Sequence, residues 1–404
     1  MRRPSSRALG RERIRSLNQS AVISAIHSNG RISRTELAAE LRLSPAAITA
    51  LTAPFVEDGL VFEAEIGTSP SVGRKPILLA INYDHAHVYG VKVMNHAVVA
   101  ALTNLNAEVV AVRTQALPDT KVRTVVDAVV SATTALRKSA AGAAVRPLGV
   151  GVSLPGVVDH LAGSVRHSQL FGWGKVPFAD MLSEELRLPV LVENDVNALA
   201  AAHGWFGHGR GHEAFLVLTL GRGVGLGIVT SGAVYRGPRG GAGEFGHTVC
   251  APIAPRVMEP GHTTLEQRLG DAGLIAQARR LTGRDLDADA ITSLAAEGDE
   301  AILDLLADSG DCLGVAMSDL INIFAPTLII LGGEGLRNAP YFLPRLRPML
   351  ERHTFGDLAE DVEIVTDSWG DDGWARGAAG LAAARFLQEA SIPLDAASVG
   401  MGSA

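Results

Sequence analysis

The chain has 404 residues, 47% of them hydrophobic and 20% charged, and a formal net charge of −7. That length supports two or three domains with sizeable cores, and no apolar run reaches the ~20 residues of a membrane-spanning helix. The two cysteines, Cys250 and Cys312, belong to no CxxC motif, which excludes a thiolate metal cluster and suits a reducing, cytoplasmic compartment.

Charge is unevenly placed. Residues 1–80 carry +4 and the remainder −11, and residues 1–34 hold eight arginines against Glu12. A basic N-terminal module on an acidic body is the pattern of a regulator that touches nucleic acid at one end. A solvated basic tail would give the same count. The start MRRPSSRALGRERIRS has no apolar stretch behind it, so 1–17 reads as a basic arm and not as a secretory signal.

Three short helical patterns follow. Val22, Ile23 and Ile26 form one apolar face that ends at Asn29-Gly30. The second helix opens on SRTE, where Ser33 can cap, Glu36 can reach back to complete a capping box, and Ile32 and Leu37 form a hydrophobic staple. Leu37, Ala38 and Leu41 then turn inward. Ser44 caps the third helix with Pro45 at its first position, and Pro54 predicts a break or kink near Ala53. Ile48 and Leu51 point to the core, which leaves Ala46, Ala47, Thr49, Ala50 and Thr52 on or near the outer face. A strand, a loop with the basic tip Gly73-Arg74-Lys75-Pro76, and a second strand complete the pattern of a winged helix-turn-helix. In such a module the later helix of the pair enters the major groove. Arg34, Ser44, Ala46, Ala47, Thr49 and Thr52 are therefore candidate DNA contacts, and Arg74 and Lys75 on the wing suit phosphates or the minor groove. A helical protein-interaction module is the alternative.

From about residue 87, strands and helices alternate. A β-rich start over 88–116 precedes an amphipathic helix near 121–138 and the buried strand PLGVGVSL, which ends at Pro155-Gly156. The strand LPVLVEND then leads into the helix VNALAAAHGWF, and AFLVLTLGRGVGLGIVTSG reads as a hairpin. A long helical region over about 264–325, the strand TLIILGGEG and the helix WARGAAGLAAARFLQ follow. The small residues of 391–404 are expected to be disordered. Two similar sets of strands with crossover helices imply two α/β lobes around a cleft, with sites at the carboxyl ends of the strands.

Polar residues gather just after those strands. Glu193, Asn194 and Asp195 end one, GGAGEFGH supplies Glu244 and His247, and Glu266 opens a helix. An amide, carboxylates and a histidine at strand ends offer the paired donors and acceptors that a sugar requires. Each alone has a plainer reading: Asn194 or Asp195 as a helix cap, His247 as a satisfied core histidine.

With these blocks in view, the chain resembles the ROK family of sugar kinases and sugar-responsive repressors over about 18–388. GVSLPGVVD, ENDVNALA, GRGVGLGIV, GEFGH and LGGEG are similar to successive family blocks and stand in the family's order. The resemblance implies an actin-like fold of two ribonuclease-H-type lobes around a central cleft, and a dimer. It also implies sugar contacts at Asn194, Asp195, Glu244, His247 and Glu266, the position of Asp195 being the general base in the kinases.

Two departures from the family pattern decide the expectation. The kinases carry D-x-G-G-T in the first hairpin and G-T-G in the second. Here Lys92 replaces the acid, Met94-Asn95-His96 replace Gly-Gly-Thr, and Arg222 replaces the second threonine. Bulky side chains in both phosphate loops and the lost metal-side carboxylate argue against phosphoryl transfer. Lys92, Asn95 and Arg222 thus mark a lost ATP site, and no catalytic residue is expected. Lys92 interrupts an apolar strand and needs a counter-charge. Either an internal ion pair, to Asp195 or another cleft carboxylate, supplies it, or Lys92 and Arg222 hold an anion such as a sugar phosphate. The second departure is the family's zinc motif, whose three cysteine positions are here Val257, Glu259 and Thr264, with Cys250 outside the pattern. No zinc is expected, so Glu259 or a remodelled 250–264 loop must orient His247.

The sequence therefore predicts a basic arm (1–17), a winged helix-turn-helix (18–83), a two-lobed body (87–390) and a tail (391–404). The expected function is a DNA-binding regulator, a repressor acting as a homodimer or higher oligomer on a palindromic operator. A sugar or sugar derivative in the interlobe cleft would modulate it, with neither ATP nor zinc. Two other readings fit: an ATP-dependent sugar kinase, and a regulator governed by a protein partner docking on the 250–264 loop.

Overall fold

The computed structural model describes residues 6–64, 76–143, 145, 147–250, 264–367, 369 and 371–389. The expected wing tip with Arg74 and Lys75, the positions Val257 and Glu259, and the tail 391–404 lie outside the described residues.

Helix α1 (Ser6–Asn29) runs without interruption through most of the segment expected as a separate arm. Arg, Ala, Leu and Glu are good helix formers and outweigh the single Gly10. Strand β1 (Ile32–Ser33), α2 (Arg34–Glu40), α3 (Pro45–Asp58), β2 (Val61–Ala64) and β3 (Leu78–Ile81) complete the N-terminal module, with strand order β1-β3-β2. The capping box forms as expected: Ser33 Oγ accepts from the Glu36 N–H at 3.2 Å, and the Ser33 N–H donates to Glu36 Oε2 at 2.8 Å. Ser44 Oγ likewise accepts from the Ala47 N–H at 3.2 Å. Ile23, Ile26, Leu37, Ile48 and Phe55 fill the small core.

Pro54 does not end α3, which continues to Asp58 and stops at Gly59 with φ 84°. Proline removes one N–H, and the carbonyl it would have served belongs to Ala50, on the exposed face where water can satisfy it. Buried Phe55 then anchors the last turn in the core.

The body continues with β4 (His87–Val93), β5 (Ala97–Asn104), β6 (Val109–Ala116), α4 (Val122–Lys138), α5 (Ala140–Ala143) and β7 (Pro147–Leu154). Next come the hairpin β8 (Val157–Asp159) and β9 (Ser164–His167), then α6 (Phe178–Leu186), β10 (Val190–Asn194) and α7 (Asp195–Phe206). Strands β11 (Phe215–Leu220), β12 (Val224–Thr230) and β13 (Ala233–Val234) precede α8 (Leu265–Leu269), α9 (Asp271–Thr282), α10 (Ala288–Glu297) and α11 (Glu300–Phe324). The chain closes with β14 (Leu328–Gly332), α12 (Ala339–His353), β15 (Glu363–Thr366) and α13 (Asp371–Glu389). The helical region expected over 264–325 is thus four helices. Gly283 and Gly298, at φ 70° and 86°, end α9 and α10.

These elements form two compact units. The first takes in the chain up to Val152, Ala179–Leu191 and the residues from Ala378 on; the second takes Ser153–Phe178 and Val192–Gly377. The first sheet has the order β10-β7-β4-β5-β6 and the second β13-β12-β11-β14-β15. In both, the first three strands form a meander and the fourth and fifth add beside the first, so the architecture repeats.

In the first unit, the apolar face of α4 (Val125, Val126, Val129, Leu136) packs on β5 and β6. Gly151 in β7 lies directly under α13, since a Cβ there would strike the Ala378 carbonyl. In the second unit, β11 runs antiparallel to β12 (Leu216 opposite Ile228) and parallel to β14 (Leu216 opposite Ile329). Its largest core joins Leu218, Leu226, Leu313, Met317, Ile329 and Leu346. No helix among the described residues is long and apolar enough to cross a membrane.

Candidate effector site and DNA-binding surface

On the N-terminal module, Ser44, Ala46 and Thr49 are exposed and Ala47 is half-buried along the start of α3. Ser44 is also committed to the cap, and the Thr49 hydroxyl donates to the Pro45 carbonyl at 2.9 Å. Thr52 is a correction: it is fully buried, and its hydroxyl donates to the Ile48 carbonyl at 2.9 Å. With Ile48, Leu51 and Phe55 it lies on the core face of α3, so it does not reach DNA. Arg34 is half-buried and pairs with Glu63 of β2 at 2.7 Å, which ties the helix pair to the wing strand.

The five sugar-contact candidates all fall in the second unit, and four of them share one electrostatic neighbourhood. Asn194 caps α7, its Oδ1 accepting from the Asn197 N–H at 3.1 Å while its amide donates to the Gly156 carbonyl at 3.1 Å. The plainer cap reading of Asn194 therefore holds, although one amide hydrogen and one lone pair stay uncommitted by these bonds. Asp195 follows at the first helical position, half-buried, with Oδ1 accepting from the Val196 N–H at 3.0 Å.

Glu244 comes from a glycine-rich loop pressed onto strand backbone. Gly243 has φ 89°, and a Cβ on it would strike the Leu226 carbonyl, so only glycine lets the loop lie there. His247 Nε2 stands 3.7 Å from Glu244 Oε2, one turn further on. Glu266 reaches back from α8, where its Oε2 accepts from the Val224 N–H at 3.3 Å, and Gly223 leaves room for it. Burial pushes the Glu244 carboxyl above its ordinary range, and the Glu266 and Asp195 charges push the same way, against His247 and His167. His167, at the end of β9, was not among the sequence candidates. A lone exposed histidine after SVR gave no local signal.

A second unanticipated pair braces this site. Glu193, buried at the end of β10, accepts from Arg236 Nε at 2.6 Å, from the Asn194 N–H at 2.9 Å and from the Asn197 amide at 3.4 Å. Arg236 precedes the glycine-rich loop, so one ion pair fixes both the loop's root and the Asn194-Asp195 turn.

The three lost-ATP positions divide between the units. Lys92 and Asn95 belong to the β4–β5 hairpin of the first; Lys92 is 8% exposed, pairs in register with Val99 and is not a free cation. Asn95 is exposed at the turn, its Oδ1 2.9 Å from His96 Nδ1. Arg222 is exposed between β11 and β12 in the second unit. There it lines a cavity of about 270 Å³ with Asp271, Asp287, Asp289, Glu334 and Arg337. Four carboxylates against two guanidinium groups make poor surroundings for a phosphate.

Thr264, at one of the family's thiolate positions, is spent as the cap of α8: its Oγ1 accepts from the Gln267 N–H at 3.2 Å, and Gln267 Oε1 accepts from the Thr264 N–H at 3.0 Å. Among the described residues, no group of three or more His, Cys, Asp or Glu side chains is placed to hold a metal ion. Thr264 therefore offers a hydroxyl already spent on the cap where the family motif has a thiolate.

A folded winged helix-turn-helix in one chain with a two-unit α/β body of repeated sheet order defines a DNA-binding protein on an actin-like frame. Residues 88–385 match the ROK family model, and residues 15–61 match that of the winged helix-turn-helix DNA-binding domain. The chain belongs to the ROK family, and its N-terminal module puts it with that family's DNA-binding regulators and not with its kinases. A putative xylose repressor of Caldicellulosiruptor sp. (strain Rt8B.4) is 27% identical over 356 residues, covering 85% of this chain and 89% of its own. The fold is that of a crystallised ROK family transcriptional regulator, a homolog of the E. coli MLC protein, with a TM-score of 0.81, 24% identity, and coverage of 93% of this chain and 97% of that one. A ROK hexokinase from Thermus thermophilus, 26% identical with a TM-score of 0.61, covers 73% of this chain and 97% of its own.

Proposed function

We propose that this protein is a sugar-responsive transcriptional repressor. It binds a palindromic operator as a homodimer, with Ala46, Ala47 and Thr49 of α3 facing base edges and Arg74 and Lys75 of the wing facing the DNA backbone. A sugar held by Asn194, Asp195, Glu244, His247 and Glu266 changes its affinity for that operator. One observation carries this reading: the helix pair of the DNA-binding module is formed and capped, while the hairpin that would cradle ATP phosphates holds Lys92 and Asn95 where the kinases need an acid and small residues. The protein works in the cytoplasm without ATP or zinc.

Three carboxylates, Glu244 with Glu266 and Asp195, and two histidines favour an uncharged sugar, whose hydroxyls can donate to the carboxylates. The carboxylate-rich cavity at Arg222 supports the same choice over a sugar phosphate. The sugar acts by binding the two DNA-affinity states unequally.

Fluorescence anisotropy of the dimer on operator fragments, with xylose, other free sugars and sugar phosphates added in turn, tests the reading. A neutral sugar that shifts operator affinity in wild type but not in Glu244→Ala or His247→Ala is the expected result. Sugar-dependent ADP release from ATP, or regulation that survives both substitutions, would sink it.

A further inference from the structure

The only two cysteines in the chain meet in the second unit. Cys312 sits on α11 at 2% exposure, and Cys250, three residues beyond His247, is half-buried against the same core. Packed in one core cluster, each thiol is the strongest influence on the other's titration. Arg268 of α8, itself only 5% exposed, sets its charge beside both and hydrogen-bonds Cys312. The Cys312 thiol brings the Cys250 thiol down to about 7, with Arg268 acting the same way against burial. The Cys312 thiol is pushed up by Cys250 and by burial. One sulfur is therefore thiolate-rich and reachable, and the other is its protonated neighbour. A core that needed only packing would gain nothing from a buried guanidinium at this point.

We propose that Cys250 and Cys312 are a peroxide-reactive dithiol that closes into a reversible intramolecular disulfide. The Cys250 thiolate attacks the O–O bond of hydrogen peroxide. An S–O bond forms, hydroxide leaves and takes up a proton as water, and Cys250 becomes a sulfenic acid. That step removes the negative charge which held the proton on Cys312. The Cys312 sulfur then attacks the Cys250 sulfur, the S–S bond forms, and the hydroxide leaves with the Cys312 proton as a second water. Two thiols are oxidised and one peroxide is reduced to two waters. Closing the bond draws the two sulfurs together. It therefore pulls the end of the His247 turn, where the Thr248 carbonyl accepts from the Leu265 N–H at 3.0 Å, toward α11. Oxidation would thus be felt at the Glu244–His247 site.

The test uses the full-length protein exposed to hydrogen peroxide, alkylated, and read by intact mass and peptide mapping. Free thiols should fall from two to none, the mass should drop by two hydrogens, and the Cys250 and Cys312 peptides should appear joined, with dithiothreitol reversing all three. Two surviving thiols, sulfinic acid without a cross-link, or a cross-link between two chains would each overturn the proposal. In Cys312→Ala, Cys250 should stop at the sulfenic acid and be trapped by dimedone; no adduct in the folded variant counts against it. Should that variant not fold, Cys250→Ser, altered only at the half-exposed position, decides. Cys312 should then lose its thiol at least roughly tenfold more slowly than in wild type, and an unchanged rate would refute the assignment.

Discussion

Replacing Arg236 with methionine tests whether the Glu193 ion pair holds the effector site together. The Glu193 side chain is 2% exposed and that of Arg236 18% exposed, with 2.6 Å between Nε and Oε2. Removing one partner of a fully buried pair costs ~3–5 kcal/mol, because the other charge is left without compensation. Arg236 keeps some contact with water, so solvent can partly reach the stranded carboxylate, and about 2–4 kcal/mol is expected for Arg236→Met. All four tryptophans (Trp173, Trp205, Trp369 and Trp374) lie in the second unit, so urea unfolding followed by tryptophan fluorescence reports on that unit alone. Adding Glu193→Gln removes the stranded charge and should recover about half of the loss, a coupling that a double-mutant cycle reads directly. A cost below about 1 kcal/mol, or a double variant no better than the single one, would show that the pair contributes only surface-type attraction.

The recognition helix carries an exposed alanine and a buried threonine whose substitution should have opposite consequences. Ala46→Asp, at an exposed position, should abolish operator binding in anisotropy with no change in the thermal melt, whereas Thr52→Asp should unfold the module, as far-ultraviolet circular dichroism would show. Ser33→Ala removes the Oγ that accepts from the Glu36 N–H and should cost about 1 kcal/mol of module stability by thermal melting. Glu244→Gln should raise the melting temperature at neutral pH while abolishing the sugar response. Burial first, then Glu266 and Asp195, raises the folded-state pKa of Glu244, so its contribution is full below the ordinary value of 4.5 and lost as pH rises through the folded value. The variant's advantage over wild type should therefore shrink on titration toward pH 4, and a gap that widened there would contradict the assigned sign.

Local signals were legible in the sequence because their partners lie within four residues. Ser33 with Glu36 and Ser44 with Pro45 gave helix starts that the structure reproduces. The burial of Thr52 was also within reach, since helical spacing places it beside Ile48 and Phe55. Its polar side chain pointed outward only by composition, and a hydroxyl can bond back to its own helix. Pro54 misled in the opposite direction, because a lost hydrogen bond on an exposed face is cheap. The meetings of Arg236 with Glu193, His167 with Glu244, and Cys250 with Cys312 are set by tertiary packing across 40 to 80 positions. No spacing rule of helix or strand reaches that far. The five candidate effector residues were picked out by their places in an ordered series of blocks, and the plainer reading of Asn194 as a helix cap was legible there too, because the residue it caps lies three positions on.

The placement of Gly151 beneath Ala378 sets a schedule for synthesis. The strand is made long before the helix that covers it, with the whole of the second unit in between. At ribosomal rates of ~5–20 residues per second, that strand waits roughly 10–45 s for its cover. The N-terminal module closes between Ser6 and Ile81 and has no such delay. A nascent chain can therefore carry a finished DNA-reading head while the first unit still exposes an apolar face. During that interval the growing polypeptide is most in need of a chaperone, and a message truncated before residue 378 would release a product with a folded head and an unfinished body.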